Sequence, residues 1–199
     1  RYRDNPKKTC GLFEHEYGIQ LADDIWKTTA ERAAQSLRGF YGSEVCAQLS
    51  RVPSTAWLDI EKRAGFRLNG LLVLVNPDFA VRDQNRTILY QWNTSLADAK
   101  SLELRRACDV LYAMDRWKIP HEEAVIIEFS GSDPAETPPP PGPEQLDEAK
   151  DCILEAADEM LFPLADPQAN MATEEAFEIS DADTPCHQCN FLKICPKWR

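Results

Sequence analysis

The chain has 199 residues, of which 43% are hydrophobic and 28% charged, so it is long enough to bury one real core and short for two. Its formal net charge of -11 argues against a nucleic-acid-binding protein, whose signature is a basic surface. The acidity is regional, however, because residues 131–185 hold 15 of the 33 acidic residues and only Lys150 as a base, a net charge of -14. The other residues carry 18 acidic against 21 basic side chains, a net charge of +3, so DNA binding stays open.

No run of 18 apolar residues occurs, which excludes a membrane-spanning helix and predicts a protein with no membrane partner. Seven cysteines are an odd number in a chain too long for a disulfide-stapled miniprotein. They favour a reducing compartment, where clustered cysteines bind metal, so we expect a cytoplasmic protein. The sequence opens on Arg1 rather than methionine, and we expect further chain upstream.

The first predicted element is a long helix from about Gly18 to Leu49, where apolar residues recur at every third or fourth position. Three strand-like runs follow, at Ala56–Glu61, Phe66–Asn76 and Thr87–Trp92, and the second contains an Asn-Gly turn signal at 69–70. These runs predict a β-meander after the helix.

The second half of the predicted core is a helix and a strand. Helical periodicity runs over Leu102–Trp117 and stops before Pro120, and an apolar strand follows at Ala124–Phe129. The element order α, β, β, β, α, β predicts an α/β fold, in a single domain over residues 1–199.

Residues 131–145 are rich in proline and predict a linker or rim loop, because consecutive prolines fit neither a helix nor a central strand. An acidic amphipathic helix is expected at Glu144–Leu161, and the chain from there to Pro185 has an irregular pattern. The acidic stretch is interpreted as a solvated face or as a docking surface for a basic protein.

Three cysteines cluster near the end of the chain, as Cys186, Cys189 and Cys195 in the spacing C-x2-C-x5-C. Closely spaced thiolates are soft ligands that suit an iron-sulfur cluster or zinc. A tetrahedral centre needs a fourth ligand. The candidates are His187, Cys10, Cys46, Cys108 and Cys152.

The order of these features resembles a known family. Asp78 follows an apolar strand, a second strand ends in the run from Tyr90 to Ser95, a helix carries Tyr112, and the cysteine array closes the chain. Over nearly its whole length the chain resembles the RecB/AddB-type branch of the PD-(D/E)XK nucleases, including the CRISPR-associated RecB-like exonucleases with an iron-sulfur cluster.

The resemblance implies a restriction-endonuclease-like core, a mixed central sheet flanked by helices. It also implies that Cys10 joins Cys186, Cys189 and Cys195 as ligands of a 4Fe-4S cluster that connects the N- and C-terminal segments, with the array at 186–195. Zinc is the alternative metal. A centre closed by four thiolates leaves no position open for substrate, so we expect it to stabilise the fold.

The catalytic half of the motif is degenerate. The family carries an Asp followed by Asp/Glu-x-Lys, and here Asp78 is kept while Gln91 and Asn93 stand in place of the second carboxylate and the lysine. Neutral amides supply neither the negative charge that binds Mg2+ or Mn2+ nor a cation that activates water. The helix keeps Tyr112 of the family's Gln-x3-Tyr but has Cys108 in place of its glutamine. A carboxylate such as Glu128 could restore the metal site from a neighbouring strand.

Three functions follow from this resemblance. The first is a non-catalytic pseudo-nuclease that binds DNA or acts as a scaffold in a repair, replication or defence complex, beside a helicase or nuclease subunit. The second is an active Mg2+- or Mn2+-dependent DNA exonuclease with an altered site, and the third is a protein-interaction module without DNA contact. Single-stranded or duplex DNA would be bound by basic residues. The candidate DNA-binding residues are Arg82, Arg86, Arg105, Arg106, Lys193 and Lys197.

Overall fold

The computed structural model describes residues 22–58, 64–93, 98–129 and 137–176. Within these residues the chain is a mixed α/β protein, as the sequence predicts at the level of fold class. Residues 32–158 pack as one compact unit, and the described residues 22–31 and 159–176 belong to a second. The single domain predicted over 1–199 stays a prediction.

A three-stranded mixed sheet lies at the centre of the 32–158 unit. Its strands are β3 (Phe79–Asp83), β4 (Arg86–Trp92) and β5 (Ala124–Phe129), with β4 in the middle. Strands β3 and β4 form an antiparallel hairpin, whereas β4 and β5 run parallel. Because β3 is antiparallel to β4, the residue that precedes β3 lies at the end of β4 where that strand finishes, which brings Asp78 to Trp92.

A separate antiparallel hairpin precedes this sheet. Strands β1 (Gly65–Leu68) and β2 (Leu71–Leu74) are joined by Asn69 and Gly70, both at positive φ. This two-residue turn with positive φ at both positions suits the right-handed twist of the strands, which is why Asn-Gly is favoured there. The Asn-Gly turn signal is confirmed, and it divides the predicted Phe66–Asn76 run into two strands.

Two long helices complete this part of the fold, α3 (Ala99–Trp117) and α4 (Pro143–Leu161). Helix α3 begins at an Asp98 cap, whose side chain accepts a hydrogen bond from the Ser101 N–H at 3.0 Å. Helix α3 connects β4 to β5, the usual route between neighbouring parallel strands. The helices predicted at Leu102–Trp117 and Glu144–Leu161 are confirmed, as is the strand at Ala124–Phe129.

The sheet is covered on both faces by different residues. Side chains alternate along β4, so Leu89 faces the cluster formed with α3 and α4, whereas Tyr90 joins a second cluster with Val45. The first cluster is the larger of the two. Its most deeply buried hydrophobic members are Ala80, Leu89, Val110, Tyr112, Ala113, Ala124 and Ile126.

The long helix predicted from about Gly18 to Leu49 is wrong as a single element, although its first residues lie outside the described part. The structure has α1 (Asp23–Tyr41) and α2 (Glu44–Arg51). The break occurs because Ser43 is an N-cap, and its side-chain oxygen accepts the Cys46 N–H at 3.2 Å. Such a cap satisfies a backbone donor that would otherwise be unpaired and starts a new helix.

The predicted β-meander is also incorrect. The run at Ala56–Glu61 begins at the end of a short 3-10 helix, Ser54–Ala56, and only Trp57 forms an isolated bridge, to Val81. Residues 59–63 lie outside the described part. The sequence does not predict strand β3. Its five residues include the charged pair Arg82 and Asp83, which interrupts the apolar pattern, and its pairing with β4 cannot be read from local sequence.

In the second unit, β6 (Leu164–Asp166) and β7 (Met171–Ala172) form a short antiparallel hairpin where the sequence predicted irregular structure. A 3-10 helix follows at Glu174–Ala176. None of the helices in the described ranges is long and apolar enough to cross a bilayer.

Candidate functional site

Polar side chains of α3 face polar side chains at the C-terminal ends of β4 and β5. Arg105 and Asp109 of α3 contact Asn93 and Gln91, respectively, so α3 runs antiparallel to β4. Four helical residues advance about 6 Å and two strand residues about 6.6 Å, so residues four apart on the helix match residues two apart on the strand. This spacing makes both contacts possible at once.

The most exposed contact joins Arg105 to Asp78, the first carboxylate of the predicted motif. The Arg105 guanidinium donates to Asn93 Oδ1 at 2.9 Å and to Asp78 Oδ2 at 3.4 Å. The same Asp78 oxygen accepts the backbone N–H of Trp92 at 2.8 Å. The Arg105 and Asp78 side chains are 36% and 31% exposed, so this cluster lies at the surface. A cation of the chain itself is therefore in contact with Asp78, the carboxylate that the resemblance predicts as a metal ligand.

Beneath it lies a buried acid–amide pair. Gln91 is fully buried and donates through its side-chain nitrogen to the carboxylate of Asp109, which is 2% exposed. Burial raises the pKa of Asp109 to about 6, while the Gln91 hydrogen bond and Arg105 act in the opposite direction and Asp78 raises it further. The buried Gln91 Oε1 has no hydrogen-bond partner among the described residues.

The third contact is a buried ion pair on the neighbouring strand. Arg106 donates from Nε to Glu128 Oε1 at 2.7 Å and from its terminal nitrogen to Oε2 at 2.5 Å. The Glu128 side chain is 5% exposed and that of Arg106 is 20% exposed. Both carboxylate oxygens of Glu128 are thus held by Arg106, and this is the carboxylate that the sequence offered as a replacement metal ligand.

The four residues of the degenerate site do not form one cluster. Asp78 and Asn93 meet at Arg105, and Gln91 contacts Asp109. Tyr112 lies in the core, where its ring packs edge-on against Trp117 with the centroids 5.4 Å apart. The arrangement is therefore a series of pairs along α3.

The predicted DNA-binding arginines are also dispersed. Arg82 and Arg86 lie around the β3–β4 turn, at the opposite end of these strands from Asp78. Arg105 lies at the Asp78 end, and Arg106 is paired with Glu128. Lys193 and Lys197 lie outside the described residues, as do Cys10, Cys186, Cys189, Cys195 and His187.

The remaining cysteines of the fourth-ligand set occupy helices. Cys46 is in α2, Cys108 in α3 and Cys152 in α4. Burial raises the pKa of the Cys108 thiol to about 11, and the charges of Asp109 and Cys152 add to this effect. A thiol with a raised pKa is a poor metal ligand, because the thiolate is the form that binds.

A divalent metal does not fit the described site. Across the described ranges no group of three or more His, Cys, Asp or Glu side chains is placed to hold a metal ion. Mg2+ prefers several hard oxygen ligands with negative charge. Asp78 is the one carboxylate at the surface cluster, and its partner there is Arg105.

Two features of the site were missed from the sequence. Asp109 lies in an apolar helical face between Arg105 and Ala113, and a lone acid in such a position signals a buried partner. Arg105 was identified as a DNA-binding candidate, but its contact with Asp78 was not, because 27 residues separate the two in the chain.

A cleft of about 410 Å3 lies between α3, α4 and three prolines, Pro138, Pro139 and Pro141. Its lining mixes Lys100 and Arg106 with Glu103 and Glu148, so the charges are balanced.

The chain matches no family model, no curated protein and no solved structure.

Proposed function

We propose that the chain is a pseudo-nuclease of the RecB/AddB-like PD-(D/E)XK type, which binds DNA without cutting it as a subunit of a repair, replication or defence complex. A helicase or nuclease subunit would supply the chemistry. The observation that carries the proposal is the Arg105 guanidinium, which contacts Asp78 and Asn93 where the family resemblance implies a divalent metal and a lysine.

The sheet supports the choice of fold. Asp78 immediately precedes β3, and Gln91 and Asn93 lie at the end of β4. The residues at the predicted motif positions therefore lie at the same end of the sheet, the C-terminal end of β4. The parallel strand β5 follows α3, in the element order that the resemblance implies.

A physical reason for glutamine in place of the second carboxylate at position 91 is its buried contact with Asp109. A glutamate at position 91 would place its carboxylate against Asp109, and both groups would be buried. Two adjacent buried carboxylates cannot both ionise without a bound cation. A neutral glutamine makes this position stable with no metal present.

The iron-sulfur cluster is part of the same proposal. Cys10, Cys186, Cys189 and Cys195 would supply four thiolates, a donor set that suits a 4Fe-4S cluster and, alternatively, zinc. Iron, sulfide and zinc analysis after anaerobic purification tests this, with Cys189→Ala as the variant and Cys46→Ala as the control. Retention of all metal in Cys189→Ala would contradict the ligand assignment.

The nuclease assay is the decisive test of the proposed function. Anaerobically purified protein is incubated with end-labelled single-stranded and duplex DNA in Mg2+ or Mn2+, beside an Asp78→Ala control. We expect intact DNA in every lane together with a mobility shift at low salt. Cleavage that disappears in Asp78→Ala would establish the exonuclease alternative, and intact DNA without any shift would favour the protein-interaction module.

A further inference from the structure

Arg105 makes few contacts for a cation in a former metal site. A guanidinium has five N–H donors, and the contacts to Asn93 and Asp78 use two of them. The side chain is 36% exposed, so donors remain for an acceptor that arrives from solvent.

Arg105 is also held loosely by its carboxylate. The 3.4 Å contact reaches a single oxygen of Asp78, and this oxygen already accepts the Trp92 N–H at the shorter distance of 2.8 Å. Asn93, the nearer partner, is neutral, so among the described residues the charge of Arg105 is balanced only by the longer contact to Asp78 and by its electrostatic interaction with Asp109. An oxyanion that offers two oxygens to the planar guanidinium makes a stronger contact than this one.

We propose that Arg105 binds a backbone phosphate of a DNA strand directly, in place of a divalent cation, and that Asp78 competes with this phosphate for the guanidinium. The inference rests on the proposed function, since it assigns the DNA contact to this site. Binding at this site is then independent of Mg2+, and Asp78, the residue that an active nuclease needs, weakens binding here.

Equilibrium binding to a labelled single strand in EDTA tests the proposal. We expect Arg105→Ala to weaken binding about tenfold and to reduce the slope of log K against log salt by about 0.7, the contribution of one phosphate on a single strand. Asp78→Asn removes the competing charge and keeps an oxygen for the Trp92 N–H, so it should tighten binding several-fold. Inorganic phosphate should compete with DNA for the native protein and less for Arg105→Ala.

The matched control is Arg116→Ala, which removes the same charge from the same helix about 16 Å further along α3. It should change binding less than twofold, and thermal unfolding of all variants identifies any loss of fold. Equal effects of Arg105→Ala and Arg116→Ala would overturn the proposal, because they would reflect net charge alone.

Asp78→Asn separates the two possible failures. If it weakens DNA binding, and Mg2+ strengthens binding of the native protein, the site holds a metal and the phosphate assignment is overturned. The proposed function fails on a different result, cleavage of the labelled strand. A protein that neither cuts DNA nor responds to Arg105→Ala keeps the pseudo-nuclease proposal and loses this contact.

Discussion

Arg105 and Arg106 are neighbours in the sequence, yet they belong to different environments. Arg105 is partly exposed and makes a long contact to one oxygen of Asp78, whereas Arg106 is largely buried and holds both oxygens of Glu128. Consecutive residues on a helix point about 100° apart, so α3 directs one arginine to the surface edge and the next into the sheet. The difference indicates that the Arg106 pair maintains the fold and that Arg105 is available for binding.

The largest effect is expected at the buried pair. Glu128→Gln removes the carboxylate charge that Arg106 contacts with two nitrogens in a largely buried pair, and we expect it to lower the free energy of unfolding by about 3 kcal/mol. Urea denaturation measures this loss. Replacing both partners, as Arg106→Met with Glu128→Gln, should recover most of it, because two neutral groups need no compensation. A cost below about 1 kcal/mol for Glu128→Gln would class the pair with surface ion pairs.

The next effect tests the buried pair of Gln91 and Asp109. Gln91→Glu places a second acid against Asp109, and we expect a loss of about 2 to 4 kcal/mol at pH 8, where ionisation of both is most costly. The reversed pair, Gln91→Glu with Asp109→Asn, restores one acid and one amide and should recover the stability. If Mg2+ raised the melting temperature of Gln91→Glu toward that of the native protein, residues 91 and 109 would form a metal site in that variant.

Asp109 also gives a pH dependence with a definite sign. Its folded pKa of about 6 lies above the ordinary aspartate pKa of 3.8, so the folded protein binds the proton more tightly than the unfolded chain. The resulting penalty is absent below pH 4, grows as the pH rises, and is complete above pH 6, where it amounts to about 3 kcal/mol.

Asp109→Asn removes this penalty and offers an N–H to the buried Gln91 Oε1. We expect it to stabilise the protein by roughly 1 to 3 kcal/mol at pH 8 and to flatten the stability profile between pH 4 and 6. Urea denaturation across this pH range checks both effects. A native profile that rises between pH 4 and 6 would mean that Asp109 is not the group that dominates there.

The smallest effect is expected at the exposed arginine. Arg105→Ala should change the free energy of unfolding by less than about 1 kcal/mol, because its partners are partly solvated and screened. Thermal unfolding at low and high salt measures this, with Glu128→Gln as the reference variant. A loss as large as that of the reference would assign Arg105 to the fold instead of to a ligand.

The sequence predicts the long elements well and the short ones poorly. Helices α3 and α4 and strand β5 have strong local periodicity, so they can be found without knowing their neighbours. Strand β3 and the break at Ser43 depend on pairing and on one side-chain cap, and the apolar pattern of the predicted helix continues across that break. Short elements of this kind are determined by their partners more than by their own residues.

The site divides in the same way. Asp78, Gln91 and Asn93 could be singled out because the predicted family resemblance points to their positions. Their actual partners, Arg105 and Asp109, depend on the register of α3 against β4, which no linear pattern contains. Tyr112 matches the tyrosine of the predicted motif in sequence, but its burial in the core depends on how α3 packs against its neighbours.

The register of α3 against β4 limits where residues can be inserted into the chain. One residue inserted between positions 105 and 109 would rotate the rest of α3 by about 100° and separate either Arg105 or Asp109 from its strand partner. A residue added to the exposed turns at 69–70 or 84–85 lengthens a two-residue hairpin loop to three residues, another common loop length, and leaves the register of α3 against β4 unchanged. Insertions and epitope tags are therefore best placed at the hairpin turns, and the interval from 105 to 109 should be of fixed length in any functional variant.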